Sequence, residues 1–157
     1  MTREEQLEAI ASVLRGESFA VFSFAGAGAG DPPYSAVMFF AETGPARLAF
    51  GTSPGTVKGP YLRTGNGACA QVDTRAAGLE NMSQFARVTI QGRLRRVDEG
   101  PERTRLVEAY LAKLPNAKVF VSRPGVEIFL LEPSFAVCAR GLFERFEIDF
   151  RAGAAPD

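Results

Sequence analysis

The stretch Leu48-Ala49-Phe50-Gly51-Thr52-Ser53-Pro54-Gly55-Thr56-Val57-Lys58-Gly59-Pro60-Tyr61-Leu62 runs from an apolar, strand-like triplet into glycine and hydroxyl residues, then a lysine, then apolar residues again. These are the ingredients of an anion site. Thr52, Ser53 and Thr56 offer hydroxyl donors, and Gly51 and Gly55 let the backbone come close to a ligand. A short helix expected to start near Thr56 would present free N–H groups and the positive end of its dipole. Lys58 adds a mobile positive charge suited to a phosphate. A loop with Thr56 as helix N-cap and a solvated lysine would use the same letters. The stretch is not a Walker A sequence, which requires Gly-Lys followed by Ser or Thr.

Working outward, the flanking segments read as strands. FAVFSFA is aromatic and β-branched, AGAGAGDPP is a breaker loop, and YSAVMFFA is a second strand, so the pair forms a long hairpin. The turn ETGPA then leads into RLAFG, which makes three successive antiparallel strands, a meander. AGAGAGDPP is no dinucleotide fingerprint, because Pro32-Pro33 lead into a strand rather than a helix. Downstream come GACAQVD, a polar loop around Arg75 to Ser83, and QFARVTIQGRLRRV. In the last of these, Ala86, Val88, Ile90, Gly92 and Leu94 alternate with Arg87, Thr89, Gln91, Arg93 and Arg95, giving one core face and one cationic face. Salt bridges on a solvated sheet face would account for such arginines.

Two helices frame this sheet. Thr2 and Glu5 form a capping box for a helix over residues 1–16 with the stripe Leu7, Ile10, Ala11, Leu14. Gly100-Pro101 opens a second, with Leu106, Val107, Tyr110, Leu111 and Leu114 on one face and Pro115 as its stop. VEIFLLE, SFAVCAR and RFEIDF return to strand, and residues 151–157, RAGAAPD, read as a frayed tail. The tally is seven or eight strands in hairpin order with two good helices and one short one. β-α-β alternation is missing, which disfavours a parallel dinucleotide-binding sheet. Closure into a small antiparallel barrel is expected, although a sandwich would leave much the same trace.

Composition narrows the function. The 157 residues fit a single domain, 1–157, and 18 basic residues balance 18 acidic ones. Neither a nucleic-acid nor a membrane partner is called for, and a soluble cytoplasmic protein is expected. The chain contains no histidine, which removes Ser-His-Asp and Cys-His catalysis, imidazole metal sites and imidazole-ligated haem. Cys69 and Cys138 lie far apart in apolar, strand-like contexts, where a small buried thiol is the usual occupant.

The order of segments, YSAVMFF, a turn, LAFGTSPGTVK, a helix, GACAQVD, a loop and FARVTIQGRLRRV, resembles the flavin-binding split-barrel family that includes pyridoxamine 5'-phosphate oxidase. The resemblance runs from about Phe19 to Val97 and more loosely beyond. It implies a mainly β, antiparallel split barrel with flanking helices, and FMN in a cleft at a two-fold homodimer interface. It further implies that Ser35, Ala36, Val37 and Met38 run along the isoalloxazine edge. Thr52 and Ser53 would approach the ring and ribityl chain, Thr56 and Lys58 would hold the phosphate, and Arg87 and Gln84 would contact the cofactor from the neighbouring strand.

The chain also departs from the family pattern. Val57 stands where the oxidase has a second basic phosphate ligand, and GLFERFEIDFRAGAAPD lacks the oxidase's substrate motif. The ending SFAVCARGLFERFEI is similar to haem-utilisation split barrels, but the chain lacks their histidine ligand. The resemblance therefore implies an FMN-dependent oxidoreductase acting on a small molecule, with Tyr34 as a possible proton donor and Arg87 as a substrate-anion contact. A flavin-binding module without turnover, a deazaflavin-dependent reductase and a relative with a decayed phosphate loop are the other readings.

Overall fold

A computed structural model of the protein describes residues 1–53 and 55–151. The expected tail falls largely outside them, at 152–157. Helix α1, Arg3–Gly16, starts where Thr2 Oγ1 accepts from the Glu5 N–H at 3.2 Å and Glu5 returns a carboxylate to the Thr2 N–H at 2.7 Å. This is the expected capping box, and it satisfies two N–H groups that the first turn would otherwise leave free.

Eight strands follow: β1 Phe19–Phe24, β2 Tyr34–Phe39, β3 Ala41–Gly44, β4 Arg47–Thr52, β5 Gly67–Asp73, β6 Ala86–Val97, β7 Glu127–Arg140 and β8 Glu144–Asp149. They form one antiparallel sheet in the order β2-β1-β5-β6-β7-β4-β3, with β8 also paired to β7. The hairpin β1–β2 is as expected, with Phe19 opposite Phe39 and Phe24 opposite Tyr34. The three-strand meander is not. β2 pairs with β1, whereas β4 pairs with β3 and β7. A single residue, Phe40, separates β2 from β3, yet these strands occupy opposite ends of the seven-strand path. Joining the two ends of a sheet through one buried residue forces it to curl, and the result is a split half-barrel rather than a sandwich.

β7 also departs from expectation. VEIFLLE and SFAVCAR belong to one strand that runs through Pro133. Its first half pairs with β4 and its second half with β8, while β6 lies along the other side. The register shifts between Gln91 and Gly92 where Pro133 crosses, so the bulge accommodates a residue with no N–H to give to the ladder.

The concave face holds Phe22, Phe24, Phe50 and Phe129, closed by Ile10, Val13 and Leu14 of α1. A second, smaller core lies under helix α3, Pro101–Lys113, where Leu106 meets Ala49, Val97, Ile128 and Leu130. The strands at that end are therefore buried on both faces. Two short helices were not expected: α2, Arg75–Glu80, within the polar loop, and α4, Lys118–Val121, after a 3-10 turn at Pro115–Ala117. Among the described residues no helix is long and apolar enough to cross a membrane.

Candidate functional site

The end of β4 and the loop after it, the β2 strand, and the end of α3 enclose a cavity of about 650 Å³. β2 supplies Val37, Met38 and Phe39; the β4 end and loop supply Gly51, Thr52, Ser53, Thr56 and Lys58. The third wall is Tyr110 and Lys113 of α3 with Leu114, Pro115, Asn116, Ala117 and Phe120 beyond it.

Of the residues expected at the site, Val37, Met38, Thr52, Ser53, Thr56 and Lys58 are thus brought together in one cavity. The others lie outside its lining. Ser35 is exposed with its Oγ 2.8 Å from Ser23 Oγ, and Ala36 packs against the main core. Gln84 closes an exposed 3-10 turn, Met82–Gln84, and its carbonyl accepts from Thr74 Oγ1 at 3.1 Å. Arg87 stands exposed on β6 between Asp73 of β5 and Ala139 of β7, with no ion pair among the described residues. Tyr34 stacks on Tyr61 at 5.2 Å between ring centroids, also away from the cavity.

The local structure of the hydroxyl loop differs from expectation. No helix starts at Thr56; the regular element among the described residues of this loop is a 3-10 turn, Gly59–Tyr61, with Lys58 at its N-cap position. Three residues align too few peptide dipoles to attract an anion, so side chains must do that work. They are available for it. Thr56 Oγ1 is buried without a hydrogen-bond partner, and such an orphan costs stability until something fills its valence. Gly55 adopts φ +71°, a conformation that β-carbons resist. Thr52 is buried, and its hydroxyl reaches the Ser53 carbonyl only at 3.4 Å.

No carboxylate lines the cavity, whereas two lysines do. Neither Lys58 nor Lys113 makes an ion pair among the described residues. Lys113 Nζ donates to the Leu14 carbonyl at 2.6 Å and stands 3.9 Å from the centre of the Phe40 ring. Burial pulls the Lys113 ammonium below its ordinary range, opposed by the charges of Glu42 and Glu17. Burial also pushes the Tyr110 phenol up to about 12, so it is a neutral hydroxyl at physiological pH.

The α3 wall was invisible in the sequence as a binding surface. Tyr110 and Leu114 read only as a core stripe and Pro115 as a helix stop. The one available signal was Lys113, a charged residue inside that apolar stripe. The cationic face of β6 also resolves into separate roles. Arg95 is bound by both Glu102 at 2.7 Å and Glu132 at 2.8 Å, and Arg93 donates to the Gly65 carbonyl at 2.8 Å. Only Arg87 of the three remains without such a partner. Cys69 and Cys138 are free thiols, half-buried and buried, and burial raises both pKa values, that of Cys138 to about 11.

The lining offers hydroxyls and a lysine from the β4 loop, groups that suit an anion, and the apolar side chains Val37, Met38 and Phe39 from β2, which suit a planar ring. An imidazole-ligated haem has no ligand in this chain.

Compared as a sequence, the chain matches no family model and no curated protein. Compared as a structure, it resembles a haem-binding protein from Mycobacterium smegmatis with a TM-score of 0.80 at 18% identity over 97% of this chain. The chain spans 61% of that protein's length. It also resembles a Clostridium acetobutylicum protein related to general stress protein 26, of the pyridoxinephosphate oxidase family, with a TM-score of 0.67 at 12% identity, covering 96% of this chain and 99% of the other. An FAD-binding protein from Mycobacterium smegmatis gives 0.60 at 15% identity, over 92% and 98% of the two chains. At these identities the likeness is one of fold: the chain has the split-barrel fold of these proteins, as its order of segments implied.

Proposed function

We propose that this chain binds FMN and acts as a flavin-dependent oxidoreductase on a small organic molecule, as a homodimer in the cytoplasm. The observation that carries this is that Thr56 Oγ1, buried and unsatisfied, and Lys58, without an ion pair among the described residues, line the same largely apolar cavity, whose lining holds no carboxylate. A phosphate there would accept from the hydroxyl and neutralise the ammonium, satisfying both at once. Lys113 brings a second positive charge to the cavity from a different element of the fold. Val37, Met38 and Phe39 give the ring an apolar wall and keep water from it. When bound, FMN supplies hydride and one-electron chemistry, and the protein's share is orientation, exclusion of water and fixed charge. Tyr110, neutral, can hold a proton at its Oη beside the ligand.

A two-fold dimer is supported by the outer face of β1 and β2. Phe19, Val37 and Phe39 are 53%, 67% and 47% exposed, and the tilted rings of Phe19 and Phe39 lie 4.4 Å apart between centroids. This patch is continuous with the cavity, because Val37 and Phe39 belong to both. Arg87 and Gln84, outside the cavity lining of a single chain, then have a route to the flavin across that interface. Two free thiols, one half-buried and one buried, suit a reducing compartment.

The deciding experiment is an absorbance spectrum of freshly purified protein, with mass spectrometry of whatever heat releases. A flavin band and an FMN mass support the proposal. Protein that is colourless and refuses added FMN overturns it, in favour of a deazaflavin or a decayed site. FMN bound without reduction by NADPH or NADH, and without turnover of any screened substrate, favours a flavin-binding module.

A further inference from the structure

Two lysines line the cavity, and they come from different elements. Lys58 comes with Gly51, Thr52, Ser53 and Thr56 from the end of β4 and the loop after it, and Lys113 comes from α3. A ligand with its phosphate at the hydroxyl loop lays its ring against β2 and α3. Lys113, the last residue of α3, stands three residues after Tyr110, with its ammonium over Phe40, the residue that follows Phe39 at the end of β2.

Lys113 is held in place rather than mobile. The Leu14 carbonyl that it binds belongs to the last turn of α1, where carbonyls have no partner within the helix. That bond uses one of the three ammonium protons and leaves others for a ligand. The titratable and charged groups around it are Glu42 on β3, Glu17 after α1 and Arg15 near Glu42. None is within ion-pair distance of Lys113, so its charge is available to the cavity. The half-buried setting strengthens that charge relative to an exposed lysine.

Resting on the flavin reading above, we infer that Lys113 is the charge partner of the ring and not of the phosphate. The cavity then binds the reduced ring more tightly than the oxidised one. Two-electron reduction by dithionite adds two electrons and one proton to the ring and leaves it with a negative charge, which a fixed cation nearby stabilises.

The test is to measure FMN affinity in both redox states, or the midpoint potential of the bound flavin, for wild type, Lys113→Gln and Lys113→Arg. Glutamine can still donate to the Leu14 carbonyl but carries no charge. The expected result is a loss of about tenfold or more in the reduced-over-oxidised affinity ratio for Lys113→Gln. That corresponds to a potential lowered by about 30 mV for a two-electron couple. Lys113→Arg should restore most of it. Equal loss of affinity in both states, or no loss in either, overturns the role assigned to Lys113 while leaving the flavin reading intact. Wild-type protein that takes up no FMN in either state overturns both. The wild type alone is also decisive if Lys113→Gln does not fold: a bound potential above that of free FMN supports the inference, and one at or below it overturns it.

Discussion

The ring of Phe120 lies on the backbone of Gly51, where a β-carbon would stand 2.8 Å from Phe120 Cε1 and 3.6 Å from Ile128 Cδ1. Glycine at this point of β4 is what lets α4 close the third wall of the cavity. Gly51→Ala should therefore push the Phe120 ring aside. The expected cost is about 1–3 kcal/mol of stability, the range for overpacking a well-filled site. FMN affinity should fall as well. Denaturant unfolding and FMN titration of the same variant check the two effects, and unchanged values in both would mean that the wall adjusts freely.

Thr56→Val removes a buried hydroxyl that has no partner without ligand. The unliganded variant should be at least as stable as wild type, since an unsatisfied buried hydroxyl costs about 1–3 kcal/mol. It should nevertheless bind FMN more weakly. Lys58→Ala should weaken FMN binding by roughly 1.5–3 kcal/mol, the range for a hydrogen bond to a charged group. Opposite signs for stability and affinity at Thr56 would identify its hydroxyl as a ligand-binding group. A loss of both would assign it to the fold.

Phe39→Glu places a charge in the exposed aromatic pair with Phe19 and should convert a dimer to monomer, because a buried unpaired carboxylate costs several kcal/mol. Sedimentation or light scattering reads the mass directly. A dimer that survives the substitution would place the interface elsewhere.

Glu42 gives a pH dependence of defined sign. Burial raises its pKa, more than Arg15 and Lys113 lower it. The folded chain therefore holds this proton to higher pH than the unfolded chain, and stability falls as pH rises through that window. Glu42→Gln should remove this fall and leave the protein at least as stable as wild type at neutral pH. Thermal unfolding from acid to neutral pH checks it; a variant that loses stability most at neutral pH would show that the Glu42 charge is favourable.

Gly92→Ala should be severe. Its β-carbon would lie 1.9 Å from the Glu132 carbonyl oxygen, a backbone atom that cannot swing away. A loss above about 3 kcal/mol, beyond ordinary overpacking, is expected. A well-folded variant of near wild-type stability would mean that the bulge opposite Pro133 can move to another register.

Much of this architecture was legible in local patterns. Two-residue alternation marked β6 down to the outward Arg87 and inward Val88, and Thr2 with Glu5 marked the start of α1. Both depend on the geometry of a few consecutive residues, which sequence spacing states directly. The absence of histidine likewise limited the chemistry before any coordinate was known. Residue types alone drew the hydroxyl loop as a candidate anion site, but the helix expected to start near Thr56 is not there. Gly59-Pro60 gives only a short turn, so any attraction for an anion would rest on side chains rather than on a dipole.

What the sequence could not state is which distant segments meet. Phe40 breaks the run from β2 into β3, and a local reading took the following strands as a meander. Where β3 and β4 go is decided by the exposed edge of β7, about eighty residues away. Pro133 looked like a strand end, yet the bulge at Gly92 on the partner strand carries β7 through it. The α3 wall is the same case. An apolar stripe predicts that Tyr110 and Leu114 are covered, but nothing in the stripe says that Lys113 and Phe120 will line one cavity with Thr56 and Lys58. Residue order determined the strands, the caps and the chemistry available. Tertiary packing decided which of those groups share one cavity, because that depends on pairings between segments whose separation along the chain carries no local signal.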